Sequence, residues 1–168
     1  MGGQAVTGGA TDGRVLSVPT AEDMHELGRA LAALLRPGDL VVLTGDLGAG
    51  KTTLAQGVGD GLGVRGPVTS PTFVISRVHP SLVGGPAMVH VDAYRLGSAG
   101  EVDDLDLDAS LEESVTLVEW GEGLVEQLAA DRLEVHLERP STDAEGERRR
   151  VVLRGTGARW DGVVLPGA

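Results

Sequence analysis

Gly45-Asp46-Leu47-Gly48-Ala49-Gly50-Lys51-Thr52 fits the pattern G-x-x-x-x-G-K-[ST] at each fixed position. The chemistry such a run performs is the cradling of a polyphosphate. Glycines let backbone N–H groups turn inward without side-chain obstruction, and a helix N-terminus behind them adds partial positive charge. Lys51 is the only lysine in the chain, and every other basic side chain is arginine. A compact ammonium on a thin stem suits this place, where a planar guanidinium does not substitute well. The pattern predicts that Lys51 reaches the β- and γ-phosphates of a nucleotide and that the Thr52 hydroxyl ligates Mg²⁺.

A second group of residues bears on the chemistry of a nucleotide once it is bound. Asp92 closes the apolar run MVHVD and Glu119 nearly closes VTLVEW. Both therefore fall at the C-terminal ends of buried strands, where ligands of open α/β sheets bind. Either can hold the metal while the other orients an attacking water, since Mg²⁺ takes only one or two carboxylates. A turn-starting acid is the alternative account of Asp92, and a weaker one for Glu119 because Trp120 follows it. Trp120 follows Glu119 in a chain with only two Trp, one Tyr and one Phe, so it is a candidate for contact with ligand or partner. Ser70-Pro71-Thr72 stands where GTPase-like proteins place a γ-phosphate-sensing switch, although an ordinary Ser-Pro turn explains it equally well. His25, His79, His90 and His136 show no metal-ligand spacing and read as structural or surface residues.

The elements that must position these residues follow from periodicity. Arg14–Val18 reads as a short strand, and Pro19-Thr20 opens a helix with Thr20 as N-cap and Asp23 completing a loose capping box. Met24, Leu27, Leu31, Leu34 and Leu35 recur at helical spacing, so the helix is expected to run to about residue 35. Strands are expected at 39–43, 72–76, 87–92, 115–120, 132–138 and 148–154. Helices are expected at 51–61 and 122–130, and only short helical pieces in the acidic stretch 97–114. The last two strands form a hairpin across residues 139–147. The sum is an α/β, P-loop NTPase-like three-layer sandwich: a mostly parallel central sheet, helices on both faces and a C-terminal β-hairpin. Residues 1–13 read as a disordered leader and 14–168 as one domain.

Composition excludes several classes. There is no cysteine, hence no disulfide framework, Cys-ligated zinc or thiol chemistry. No apolar run approaches the roughly 18 residues of a membrane span, and no basic–apolar signal pattern opens the chain, so a cytoplasmic protein is expected. A net charge of −11 disfavours direct binding of nucleic acid, and the Arg148-Arg149-Arg150 run reads as a solvated strand face. With a single lysine, the guanine-reading N-K-x-D motif cannot exist, and no LSGGQ-like transporter signature occurs. A partner-stimulated ATPase, a small-molecule kinase with the arginine run as a lid, and a non-hydrolysing nucleotide-binding adaptor remain in view.

GDLGAGKTTL, VTSPTFVI, HVDAYRL and LVEWGE, in that order, resemble the TsaE family (also called YjeE), bacterial ATPases of tRNA threonylcarbamoyladenosine biosynthesis. The resemblance implies a P-loop α/β fold that binds ATP and Mg²⁺ with weak intrinsic hydrolysis. It also implies two partner proteins, TsaB and TsaD, that modify adenosine 37 of tRNAs reading ANN codons, so that tRNA is met only through the complex. Carried over, the phosphate cradle is Asp46, Leu47, Gly48, Ala49, Gly50, Lys51 and Thr52, with Thr53 beside it. Thr52 and Glu119 become the metal ligands, Asp92 the Walker B-like carboxylate, and Thr72 part of the switch-like segment. Trp120 lies close to the nucleotide, Pro19 and Thr20 contact its base side, and Gly146 in the final hairpin turn makes another contact. The family often has Tyr where Phe73 stands, so no role for that hydroxyl transfers. The resemblance implies a nucleotide-driven switch acting on a TsaB–TsaD complex.

Overall fold

A computed structural model of the chain describes residues 14–45, 50–64, 76–92, 113–119, 131–138 and 148–166. In chain order these form β1 (Arg14–Val18), α1 (Ala21–Ala32), β2 (Leu40–Gly45), α2 (Lys51–Leu62), β3 (Ser76–His79), β4 (Ala87–Asp92), β5 (Ser114–Glu119), β6 (Arg132–Glu138) and β7 (Arg149–Thr156). A 3-10 turn, Ala158–Trp160, comes after them. The expected leader, the helix at 122–130 and the acidic stretch up to residue 112 lie outside the described residues.

One seven-stranded sheet runs in the order β1-β7-β6-β2-β5-β4-β3. Its four central strands, β6, β2, β5 and β4, are parallel neighbours. Both margins are antiparallel, with β7 on β6, β1 on β7 and β3 on β4. The sheet is thus mixed, with a parallel centre: the short reversals between β3 and β4 and between β6 and β7 permit only antiparallel pairing, and β1 adds antiparallel to β7 from the other end of the chain. The C-terminal hairpin is present in full register, from Arg132 opposite Thr156 to Glu138 opposite Arg150.

Of the strand expected over 72–76, residues 72–75 lie outside the described residues, and β3 runs on from Ser76 to His79. Pairing explains that extension. His79 sits opposite Met88, so β3 and β4 flank one turn in which the Ser81 hydroxyl accepts from the N–H groups of Val83 and Gly85. Helix α1 ends at Ala32, a few residues short of the apolar repeat, yet Leu35 beyond it remains buried.

Alternation along the strands separates two faces. Val41, Leu43, Val115, Leu117, Leu133, Val135, Leu137, Val151 and Leu153 join Met24, Leu27 and Leu31 of α1 and Leu54, Ala55 and Val58 of α2 in one buried cluster. Both described helices therefore cover the same face. The opposite face is buried at β2, β4 and β5, through Leu40, Val42, Val89, Val91 and Val118. It is wet at β1, β6 and β7, where Val15, Ser17, His136, Arg150 and Arg154 are exposed.

Helices α1 and α2 approach closely through glycine. A Cβ on Gly28 would collide with the Leu54 carbonyl and lie 2.8 Å from the Val58 nitrogen, and one on Gly57 would collide with the His25 carbonyl. The far end of the chain is clamped to the start of β2. Arg159 donates from Nε to Asp39 Oδ1 at 2.8 Å, and from Nη2 to Asp39 Oδ2 at 2.9 Å and to the Leu34 carbonyl at 2.7 Å. Its guanidinium also stacks 4.2 Å from the Trp160 ring centroid. A buried Asp39 is tolerable because this fork and the Arg36 N–H satisfy it.

Candidate functional site

Strand β2 delivers Gly45 to the C-terminal edge of the sheet, and α2 begins six residues later at Lys51. Asp46, Leu47, Gly48 and Ala49, between them, lie outside the described residues. What bounds them is well defined. Gly50 is the N-cap of α2 with φ of 106°, a left-handed conformation that an L side chain adopts at a cost. A Cβ there would also sit 3.1 Å from Met24 Cε and 3.6 Å from Leu137 Cδ2, so the loop's exit threads between α1 and β6.

The two helix N-termini differ. In α1 the Thr20 hydroxyl accepts from the Asp23 N–H at 3.1 Å and donates to the Asp23 carboxylate at 2.9 Å. That is the capping arrangement expected from sequence. In α2 the N-cap is Gly50, which has no side chain to cap with, and no acidic residue stands in the first turn. The first amides of a helix have no intrahelical acceptors, and its dipole leaves partial positive charge there. Lys51, 7% exposed, donates from Nζ to the Gly45 carbonyl at 2.8 Å. The ammonium thus bends across the mouth of the loop that its own helix closes. Thr52 and Thr53 come next, half-buried, on the first turn.

The predicted carboxylates occupy the same edge. Asp92 and Glu119 are register partners at the ends of β4 and β5, and Glu119 is also paired with Leu43, two residues before Gly45. Glu119 and Leu43 belong to the sheet face that carries α2. Asp92 is placed by its backbone, its side chain lying outside the described parts. Glu119 is buried, and its Oε2 lies 2.6 Å from Nε2 of His90, which is fully buried. Among the described residues no three His, Cys, Asp or Glu side chains converge as a metal site. A Mg²⁺ completed by phosphate oxygens and water requires no such cluster.

Pro19 and Thr20 are exposed at the start of α1, and the Thr20 carbonyl accepts from the N–H of Met24, the residue that packs against Gly50. The structure therefore brings Pro19, Thr20, Gly50, Lys51, Thr52, Thr53, Asp92 and Glu119 to one end of the sheet. Thr72, Trp120 and Gly146 lie outside the described residues. The arginine run belongs to the start of β7. Arg148 donates to Ser17 Oγ at 2.6 Å and Arg150 to Glu138 Oε1 at 2.7 Å.

His90, read from sequence as structural or surface, is buried and meets Glu119, a contact that a search for metal-ligand spacing does not address. Period-two alternation puts His90 on the same face of β4 as Asp92, one step back from Glu119. The other histidines have separate surroundings: His25 meets Asp60 at 2.6 Å on the helix surface, His79 is buried in β3, and His136 is exposed on β6.

A family model described as "Threonylcarbamoyl adenosine biosynthesis protein TsaE" matches residues 18–151. The chain is similar to the tRNA threonylcarbamoyladenosine biosynthesis protein TsaE of Streptomyces coelicolor, being 64% identical over 138 residues that cover 82% of this chain and 93% of that protein. It is 36% identical to the Bacillus subtilis protein of the same name over 141 residues, covering 83% and 84% respectively. Its fold is similar to the crystal structure of Bacillus subtilis YdiB, with a TM-score of 0.68, 29% identity and 89% of each chain covered.

Proposed function

The chain belongs to the TsaE family of threonylcarbamoyladenosine biosynthesis, and from that premise we propose that it is the ATP-binding and ATP-hydrolysing member of the tRNA-modifying assembly. The observation that carries this reading is the start of α2. Its N-cap is a glycine with no side chain to cap it, no acidic residue stands in its first turn, and the buried Lys51 ammonium is held at the loop mouth by a backbone carbonyl. A triphosphate fits this donor set: it offers acceptors to the amides of a helix N-terminus, and its charged oxygens bond the Lys51 ammonium more strongly than a neutral carbonyl does.

Thr52 and Glu119 are the residues that would hold Mg²⁺, which when bound neutralises charge on the phosphate oxygens. The Thr52 hydroxyl lies on the first turn of α2 and the Glu119 carboxylate at the end of β5, on the sheet edge from which the loop departs. Asp92, in register with Glu119, is the Walker B-like carboxylate, and with Glu119 on the metal it is the acid left to orient the attacking water. Lys51 stabilises charge gathering on the transferred group, a task for a positioned ammonium in a site shielded from bulk water. Pro19 and Thr20 border the base side, with Thr72, Trp120 and Gly146 completing the nucleotide's surroundings.

Turnover in this reading is slow alone and is raised by TsaB and TsaD, onto which the nucleotide-loaded chain docks and from which hydrolysis releases it. The test is an ATPase assay with and without the two partner proteins, beside calorimetry of ATP binding in Mg²⁺. Lys51→Ala is expected to abolish binding. Glu119→Ala is expected to retain much of it while losing Mg²⁺-dependent turnover. No heat of binding in the unaltered protein, or a rate indifferent to both partners, would remove the ground for the proposal.

A further inference from the structure

Glu119 is joined to a residue that the nucleotide reading does not use. His90 Nε2 and Glu119 Oε2 are 2.6 Å apart, with the two side chains 0% and 8% exposed. The bond runs diagonally, because His90 is in register with Leu117 and Glu119 with Asp92. Glu119 therefore leans back along β5, and one oxygen is fixed by the ring. Its other oxygen makes no hydrogen bond among the described residues. Nδ1 of the same imidazole is buried and also lacks a hydrogen-bond partner among them. A histidine serving only the sheet interior is expected to satisfy both nitrogens, since an orphaned buried polar atom is costly. Here a single bond is made, and it goes to the site carboxylate.

We propose that His90 is the positioning residue of Glu119: its Nε2–H pins Oε2 so that Oε1 is presented, in one orientation, to the cation of a bound nucleotide. This rests on the reading of Glu119 as a metal ligand. A glutamate has a broad terminal torsion, and a free carboxylate at the sheet edge would sample many orientations. A ring immobilised by complete burial removes that freedom through one short charge-assisted bond. Partners of this kind, standing behind a ligand, typically carry about 10- to 100-fold in metal affinity or activity when lost.

The test uses the full chain with a fluorescent ATP analogue, titrated with Mg²⁺ and measured separately in EDTA. His90→Gln places an amide nitrogen where Nε2 stands; His90→Asn places one only at the Nδ1 position, and His90→Leu keeps bulk without a donor. His90→Asn and His90→Leu are expected to raise the Mg²⁺ midpoint about tenfold or more while metal-free affinity stays within about twofold, and His90→Gln to recover most of the loss. A merely structural role would lower the melting temperature without splitting the Mg²⁺ and EDTA results. If Glu119→Gln moves the midpoint but His90→Leu and His90→Asn do not, the positioning role is wrong and the metal reading stands. If Glu119→Gln does not move it either, both fall. Should the Leu and Asn variants not fold, ¹⁵N-histidine spectra of the unaltered protein decide. An Nε2-bound, exchange-protected proton that shifts in Glu119→Gln upholds the proposal, and a proton residing on Nδ1 overturns it.

Discussion

Glu138 shows how single side chains on the wet face of the sheet are tied together. Arg150 Nη1 donates to its Oε1 at 2.7 Å, and His136 Nε2 lies 3.3 Å from its Oε2. The other nitrogen of His136 meets Thr44 Oγ1 at 2.8 Å, one residue before the glycine whose carbonyl holds Lys51. The Arg150 hydrogen bond, opposed by partial desolvation and helped by the charges of Arg150 and His136, holds the Glu138 carboxyl below its ordinary 4.5. A folded-state value below the unfolded one stabilises the protein above the unfolded value, and that contribution is lost as pH falls through the folded value. Solvent screening keeps it small, because both side chains are well exposed. Arg150→Ala is expected to raise the Glu138 titration midpoint toward 4.5, read by NMR of the side-chain carboxyl. An unmoved midpoint would mean that the pair does not persist in solution.

Among the elements, the contact of α1 with α2 matters most to the site, because α2 carries Lys51 and Thr52 at its first turn. Gly57→Ala would improve helix propensity by roughly 1 kcal/mol at an isolated site. Here the new methyl would collide with the His25 backbone carbonyl, which cannot rotate away as a side chain can. Helix separation must result, and overpacking of that kind costs about 1–3 kcal/mol, so the clash is expected to exceed the propensity gain. Thermal melting should show a loss of several degrees, together with weaker nucleotide binding as the start of α2 shifts; a variant as stable as its parent would show the approach to be looser. This contact also marks where sequence reasoning stops. Val41-Val42-Leu43 announced a buried strand, and Thr20 with Asp23 announced a cap, because each signal is local. The close approach of Gly28 and Gly57 depends on how two helices cross, and the placement of β3 at 76–79 on its pairing with β4. The bond from His90 to Glu119 depends on the register of β4 against β5. Each is a relation between distant segments, of which a single sequence carries only half at any position. The loop pattern could be recognised beforehand because its parts are contiguous. The hairpin margin of β6 and β7 was legible for the same reason, whereas the pairing of β1 with β7 joins opposite ends of the chain and was not.

At the scale of the molecule, the net charge of −11 bears on how a protein of tRNA modification meets its tRNA. The arginines at the start of β7 are the natural candidates for a phosphate-binding stripe, yet Arg150 is matched by Glu138 and Arg148 is engaged with Ser17. Arg132, farther along the same hairpin, is paired with Glu134 at 2.8 Å. Arg150 and Arg132, answered by carboxylates, release few counterions from a nucleic acid, while Arg148, bonded to a neutral hydroxyl, keeps its charge; counterion release supplies nearly all non-specific affinity, normally in the range of about 10⁻⁴ to 10⁻⁶ M. The acidic remainder adds repulsion at close approach, within the Debye length of about 8 Å at physiological salt. On the proposed function, specific affinity for tRNA comes from the partner proteins. The expected outcome in gel-shift assays is no retardation of tRNA by this protein alone at about 10 μM in roughly 150 mM salt, a concentration at which a basic non-specific binder is already engaged. Retardation should appear when TsaB and TsaD are added, and adding this chain with ATP should alter that shifted species. A shift produced by the chain alone, weakening steeply as salt rises, would mean that a basic surface has formed despite the overall charge.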